Sequence, residues 1–252
     1  MSQYGKLYGV GVGTGSPDLM TLRSVNILRE VDVIVVPQSK KGRKSVAWRI
    51  TEPNVVKNDQ QERLFLTFPM TKDPDILKPA WDYAFTEIGK RLEEGKNVAF
   101  ITEGDPLFFS TYIYLHKAAK IRWPEVETEV VPAVSSFTAV PSVIQQPIGD
   151  GQERVAVVPA SYGLDVLPQI FKLFDTILLM KVSSVMPELV ELLKEENLLD
   201  CSTYVSKATM DFQSITTDLE AIKNDKCDYF SMVMVKKNER NGILEGRFQE
   251  AK

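Results

Sequence analysis

Residues 9–20, GVGTGSPDLMTL, interleave Gly9, Gly11, Gly13 and Gly15 with small or β-branched residues and end near a Pro-Asp pair. A strand-to-helix turn of this type lets a ligand come close to the backbone, because glycine has no Cβ and tolerates positive φ. Two further turns share that character. One is Gly104-Asp105-Pro106 in FITEGDPLFFST, and the other carries Ala133, Ser135 and Ser136 in VVPAVSSFT. Asp105 can accept hydrogen bonds from an amine or a ribose, and the serines offer hydroxyls and amides. The chemistry of the three turns is binding. His116, the single histidine, and Tyr112 are the acid–base candidates, both on the helix expected after the Gly104-Asp105-Pro106 turn.

Two common nucleotide loops are excluded by spacing. A dinucleotide fingerprint needs G-x-G-x-x-G and an acid closing the second strand. Counting from Gly9 puts Thr14 at the third glycine, counting from Gly11 puts Ser16 there, and the second strand ends VVPQS without a carboxylate. The phosphate-cradling spacing G-x-x-x-x-G-K-[ST] is also absent from this loop.

The elements that must position these turns alternate strand and helix. KLYGVGVG reads as a strand, TLRSVNILREV as a helix, and DVIVVP as a buried strand stopped by Pro37. After the basic stretch QSKKGRKS, the pattern predicts a helix over PAWDYAFTEIGKRLEEGK, a strand over NVAFIT, a helix over STYIYLHKAAK and a strand over TEVVP. Turn formers in QQPIGDGQE set the expected boundary between domains 1–146 and 147–252. Beyond it RVAVVPA, TILLMKV, STYVSK and YFSMVMVKK read as strands and PELVELLKEEN as a helix, which suggests a mixed sheet. Ligands of open parallel sheets sit outside the carboxyl ends of the strands, so the three turns can surround one pocket.

Composition narrows the function classes. The chain has 252 residues, 30 basic and 34 acidic side chains and a formal net charge of −4, which disfavours nucleic acid as the main partner. No stretch reaches the roughly 18 apolar residues of a membrane span, and no secretory leader pattern opens the chain, so a cytoplasmic protein without a membrane partner is expected. Cys201 and Cys227 are too few for a metal or disulfide framework, and no metal site is expected.

Four segments together resemble the tetrapyrrole methylases, S-adenosylmethionine enzymes of corrin and sirohaem synthesis: LYGVGVGTGSPDLMTLRSVNILREVDVIVVP, FPMTKD, NVAFITEGDPLFFSTYIYL and EVVPAVSSFTA. With DTILLMKV and DYFSMVMV the resemblance covers nearly the whole chain, and it is strongest toward the precorrin-2 or cobalt-factor-II C20-methyltransferase subgroup. It implies two α/β domains, an N-terminal mostly parallel sheet and a C-terminal mixed sheet, with S-adenosyl-L-methionine in the cleft between them and a homodimer as the assembly. The implied cofactor contacts are Thr14, Glu103, Gly104, Asp105, Phe108, Ser135 and Ser136, joined by Met180, Lys181 and Ala208. The chain departs from the family where Thr14 replaces a usual proline and Ala133 a usual glycine.

Methyl transfer from a sulfonium to a nucleophilic ring carbon is an in-line displacement that depends mainly on alignment, which contributes about 7–11 kcal/mol in well-oriented reactions. A base removing the proton from carbon 20 would add about 10²- to 10⁴-fold. The implied acceptor carries acetate and propionate arms, for which Lys40, Lys41, Arg43 and Lys44 are the candidate partners. Two other readings stay open: a sister tetrapyrrole methyltransferase acting at another ring position, and a non-catalytic nucleotide-binding sensor.

Overall fold

The apolar runs VIVV and VAFI are buried on both faces, the pattern of interior strands in a parallel sheet. The computed structural model describes residues 4–55, 60–71 and 73–237. Its contacts divide the chain into two compact units, Met1–Ser135 and Ser136–Lys252.

In the first unit β1 (Leu7–Gly11), β2 (Val33–Gln38), β3 (Glu62–Thr67), β4 (Val98–Thr102) and β5 (Thr128–Val131) form one sheet of order β3-β2-β4-β1-β5. Every pairing is parallel, so all five carboxyl ends lie along one edge. The helices are α1 (Leu22–Glu30), α2 (Val46–Thr51), α3 (Pro74–Glu93) and α4 (Tyr112–Arg122). Strand alternation divides the core in two. Val33, Val35, Val98 and Phe100 pack with Ile88, Leu92 and Leu115 of α3 and α4. Ile34, Val36, Ala99 and Ile101 pack with Leu28, Ala47 and Ile50 of α1 and α2.

The entry to α1 is locked onto the tip of β1. Thr21 caps the helix by accepting the Ser24 N–H, and the buried Ser24 hydroxyl donates to the Gly11 carbonyl at 2.8 Å.

The second unit contains α5 (Ser136–Ile144), β6 (Val155–Pro159), α6 (Leu167–Leu173), β7 (Thr176–Met180), α7 (Met186–Glu195), β8 (Ser202–Ser206), β9 (Ser214–Thr216), α8 (Leu219–Ile222) and β10 (Ser231–Lys236). Its sheet has the order β6-β7-β10-β8-β9, parallel between β6 and β7 and antiparallel elsewhere, the mixed sheet the sequence suggests. Leu167, Phe171, Leu189 and Leu193 cover one face, and Phe137 and Val140 of α5 cover Leu178, Val205 and Met234 on the other. Lys236 and Glu153 form an ion pair at 2.5 Å, their side chains 8% and 2% exposed.

Several elements differ from the sequence expectation. The segments VAWRIT and ERLFLT form α2 and β3, which periodicity did not single out. Helix α3 begins at Pro74, capped by Asp73, and runs through Pro79. Strand β2 continues through Pro37 because its pairing with β4 ends at Val35, so the missing N–H of Pro37 falls on a stretch paired only with β3. The expected boundary at 146/147 follows α5, whereas the contacts divide before it, since α5 packs on the second sheet.

Candidate functional site

Apart from Ser136, where the second unit begins, the three turns singled out in the sequence belong to the first unit, and they meet. Beyond the tip of β4, Gly104 donates its N–H to the Gly13 carbonyl at 2.8 Å, an isolated antiparallel bridge between the first turn and the second. Just below, Val12 donates to the Thr102 carbonyl at 3.0 Å. The second turn is tied to the third by one side chain: Asp105 accepts the Leu107 N–H at 2.9 Å and the Ala133 N–H at 3.2 Å. Gly13 and Gly104 have φ of 77° and 64°, so the bridge uses left-handed backbone that favours glycine.

The remaining glycines make room. A Cβ on Gly9 would lie 2.1 Å from the Tyr112 ring. One on Gly11 would lie 2.6 Å from both the Ala133 Cβ and the Gly104 carbonyl oxygen, and 3.0 Å from Pro106. Gly11 is therefore the point where the three turns close on one another. Gly104 faces the other way, with nothing within 4 Å of where its Cβ would stand. This open space at the Gly104 backbone, next to Asp105, fits a ligand that approaches main chain closely.

Around this centre the candidates take distinct positions. Thr14 and Phe108 are partly buried, and the Phe108 ring packs edge-on against Phe109 at 4.8 Å. Thr102 and Ser110 exchange a buried hydroxyl contact at 2.8 Å, and Ser110 also accepts the Tyr112 N–H, fixing the start of α4 against the tip of β4. Tyr112 is fully buried in the core against Phe100, and burial pushes its phenol up to about 12. His116 lies one turn on, its ring 5.8 Å from that of Tyr112, and burial together with Lys120 lowers its pKa.

Glu103 is different. Alternation along β4 places it on the face of Ala99 and Ile101, the side covered by α2. Its carboxylate accepts the backbone N–H of Ala47 in the first turn of α2, yet burial outweighs that bond and the charge of Arg49 and pushes the group up to about 7.

The stretch leading into α2 is the basic one. Lys40, Lys41, Arg43 and Lys44 are all exposed. The turn is held by Arg43 N–H to the Lys40 carbonyl at 3.0 Å and by the Gln38 amide to the Arg43 carbonyl at 2.7 Å. Among the described residues none of these four cations meets a carboxylate, whereas Lys6, Arg91 and Lys223 each hold two. The loop follows β2, at the same sheet edge as the glycine turns.

In the second unit Met180 and Ala208 pack with Phe137 against one apolar cluster, and Ser136 opens α5 on that side of the sheet. Met180, Met232 and Val205 stand in one row of the sheet, so Lys181 and Ala208 follow the ends of β7 and β8 at the same edge. Lys181 is left-handed, with φ of 56°, and its Nζ lies 3.5 Å from the Tyr162 hydroxyl and 4.8 Å from the centre of that ring.

Sequence reasoning missed the role of α2 and of Ser24. The alternation of Ala99, Ile101 and Glu103 was a readable signal for the face of Glu103, but the partner helix was not expected. Among the described residues there is no cluster of metal-ligating side chains and no helix long and apolar enough to cross a membrane.

The chain is 35% identical over 237 residues to the probable cobalt-precorrin-2 C(20)-methyltransferase of Methanocaldococcus jannaschii, covering 93% of this chain and 97% of that one. It is 32% identical over 234 residues to the cobalt-precorrin-2 C(20)-methyltransferase of Salmonella typhimurium, covering 92% and 97%. Among solved structures, a cobalt precorrin-4 methyltransferase matches with a TM-score of 0.68 at 21% identity, over 92% of this chain and 94% of that one. A uroporphyrin-III C-methyl transferase of Thermus thermophilus, complexed with S-adenyl homocysteine, matches at 0.65 and 17% identity over 92% and 97%. The model of the tetrapyrrole (corrin/porphyrin) methylases matches residues 6–223, and the chain belongs to that family.

Proposed function

We propose that this protein transfers a methyl group from S-adenosyl-L-methionine to carbon 20 of a precorrin-2-type macrocycle, metal-free or carrying cobalt, in cobalamin biosynthesis, acting as a cytoplasmic homodimer. The supporting observation is the closure of the three turns on Gly11, Gly104 and Asp105, in a chain whose similar proteins from M. jannaschii and S. typhimurium carry that activity in their names. Thr14, Glu103, Gly104, Asp105, Phe108 and Ser135 are the proposed cofactor residues of the first unit, and Ser136, Met180, Lys181 and Ala208 those of the second. Bound there, S-adenosyl-L-methionine supplies an activated methyl group.

The protein's own contribution is placement. Asp105 is already engaged by two backbone N–H groups, so the turns are braced before any ligand arrives. Among the described residues Lys40, Lys41, Arg43 and Lys44 meet no carboxylate, and they follow β2 at the same sheet edge, suited to the carboxylate arms of the macrocycle. Anaerobic incubation with metal-free precorrin-2 and, separately, cobalt-factor II, followed by mass spectrometry and assignment of the methylated carbon, tests the proposal. Methylation at carbon 20 of either acceptor is the expected result. A product methylated at another ring position would favour a sister activity, and tight S-adenosylhomocysteine binding without turnover would favour a sensor.

A further inference from the structure

Methylation of carbon 20 leaves a proton to be removed, and the site offers few groups to take it. Asp105 is turned to the Leu107 and Ala133 amides. Tyr112 is sealed in the core behind Gly9, and His116 stacks beside it. Thr14 and Ser135 offer only hydroxyls. Glu103 remains. It precedes the bridging Gly104, points to the α2 side of the sheet, and rests on the Ala47 N–H in the helix that the basic loop feeds. Among the described residues it has no lysine or arginine within ion-pair distance. We infer that Glu103 is the catalytic base that accepts the carbon-20 proton, an assignment that rests on the C20 reading above.

The step balances without another reactant. The sulfur–methyl bond breaks with its electrons left on sulfur, and a pair from the macrocycle forms the new carbon–methyl bond. The carbon–hydrogen pair then returns to the ring as the proton passes to the Glu103 carboxylate. The position suits the task. An acceptor anchored through the loop before α2 lies over the ends of β2 and β4, the side on which Glu103 stands. Burial keeps the carboxylate basic, with its pKa raised to about 7, and the Ala47 N–H orients it. Among the described residues the charge that acts on it is Arg49 on α2, and residues 12–16, across the bridge, carry no titratable side chain.

Glu103→Gln keeps the shape and removes the basicity. Its kcat should fall about 10²- to 10⁴-fold, and raising S-adenosyl-L-methionine to saturation, judged from the variant's own S-adenosylhomocysteine Kd by calorimetry, should not restore it. The wild-type rate should rise with pH through a limb between the ordinary carboxylate value of 4.5 and about 7, and that limb should disappear in Glu103→Gln. Glu103→Asp should keep the limb at a reduced rate. Infrared titration gives a readout apart from turnover: a protonated-carboxyl band that persists toward pH 7 in the wild type and is missing in Glu103→Gln. Methylation by Glu103→Gln at the parental rate with the same limb would overturn the base assignment alone. Failure of the wild type to methylate carbon 20 would overturn the C20 reading and the base with it.

Discussion

Replacing Gly11 by alanine tests the convergence of the three turns at a single atom. Gly11 is not in the left-handed region, so the substitution carries no conformational penalty and acts through contact alone. The new Cβ would lie 2.6 Å from the Ala133 Cβ and from the Gly104 carbonyl oxygen. Carbon contacts are comfortable near 3.5–4.0 Å, so at least one turn must retreat by about 1 Å. Overpacking of this kind costs about 1–3 kcal/mol, and in a chain of this size each kcal/mol lowers Tm by about 2–4 °C. The larger effect should fall on the ligand, because a misplacement of about 1 Å costs on the order of 100-fold in a site that works by positioning. Calorimetry with S-adenosylhomocysteine, paired with a thermal melt, reads both. The double variant Gly11→Ala/Ala133→Gly removes one of the two 2.6 Å obstacles and leaves the Gly104 carbonyl, so it should recover part of the affinity. A Gly11→Ala protein that binds S-adenosylhomocysteine as tightly as the wild type, at an unchanged Tm, would show that the turns do not close as described.

Charge reversal at Lys41 and Arg43 should raise the KM for the tetrapyrrole and leave the S-adenosylhomocysteine Kd alone, more visibly at low salt; an unchanged KM would remove the basic loop from substrate binding. Ser24→Ala deletes the buried bond to the Gly11 carbonyl and should cost about 1–2 kcal/mol in a denaturant titration, since the carbonyl stays buried. Lys236→Met removes the lysine of this ion pair while the Asp150 N–H still reaches the Glu153 carboxylate, and should cost up to about 3–5 kcal/mol by the same measurement. Glu103 binds its proton more tightly folded than unfolded, so the folded chain holds more protons between pH 4.5 and about 7, and stability falls as pH rises through that window. Glu103→Gln should therefore gain thermal stability over the wild type at pH 8 and show little gain at pH 4; a constant difference between the two proteins would contradict the sign.

Much of this architecture is readable from residues. VIVV and VAFI had to be interior strands because apolar side chains occupy both parities, and the glycines of the first turn marked a close approach whatever the partner. The edge strand β3 was hidden because ERLFLT mixes charge with apolar residues on a half-exposed face. The six residues of α2 are too few to show a helical period, and Pro79 masked the first turn of α3. The same gap hid part of the site. Glu103 could be placed after β4 from its motif, but its environment depends on Ala47 and Arg49, which only the fold brings to it. The mutual bracing of the turns by Asp105 was likewise invisible, because a carboxylate before a proline reads equally well as a local cap.

The bridge between Gly13 and Gly104 is made wholly of main chain. A grip built from peptide groups does not record which side chains surround it, so neighbouring positions are free to drift while the hold persists. Thr14 and Ala133 sit beside that bridge. Redesign of this scaffold for a different acceptor can begin at the loop before α2 and leave the glycine framework as it stands.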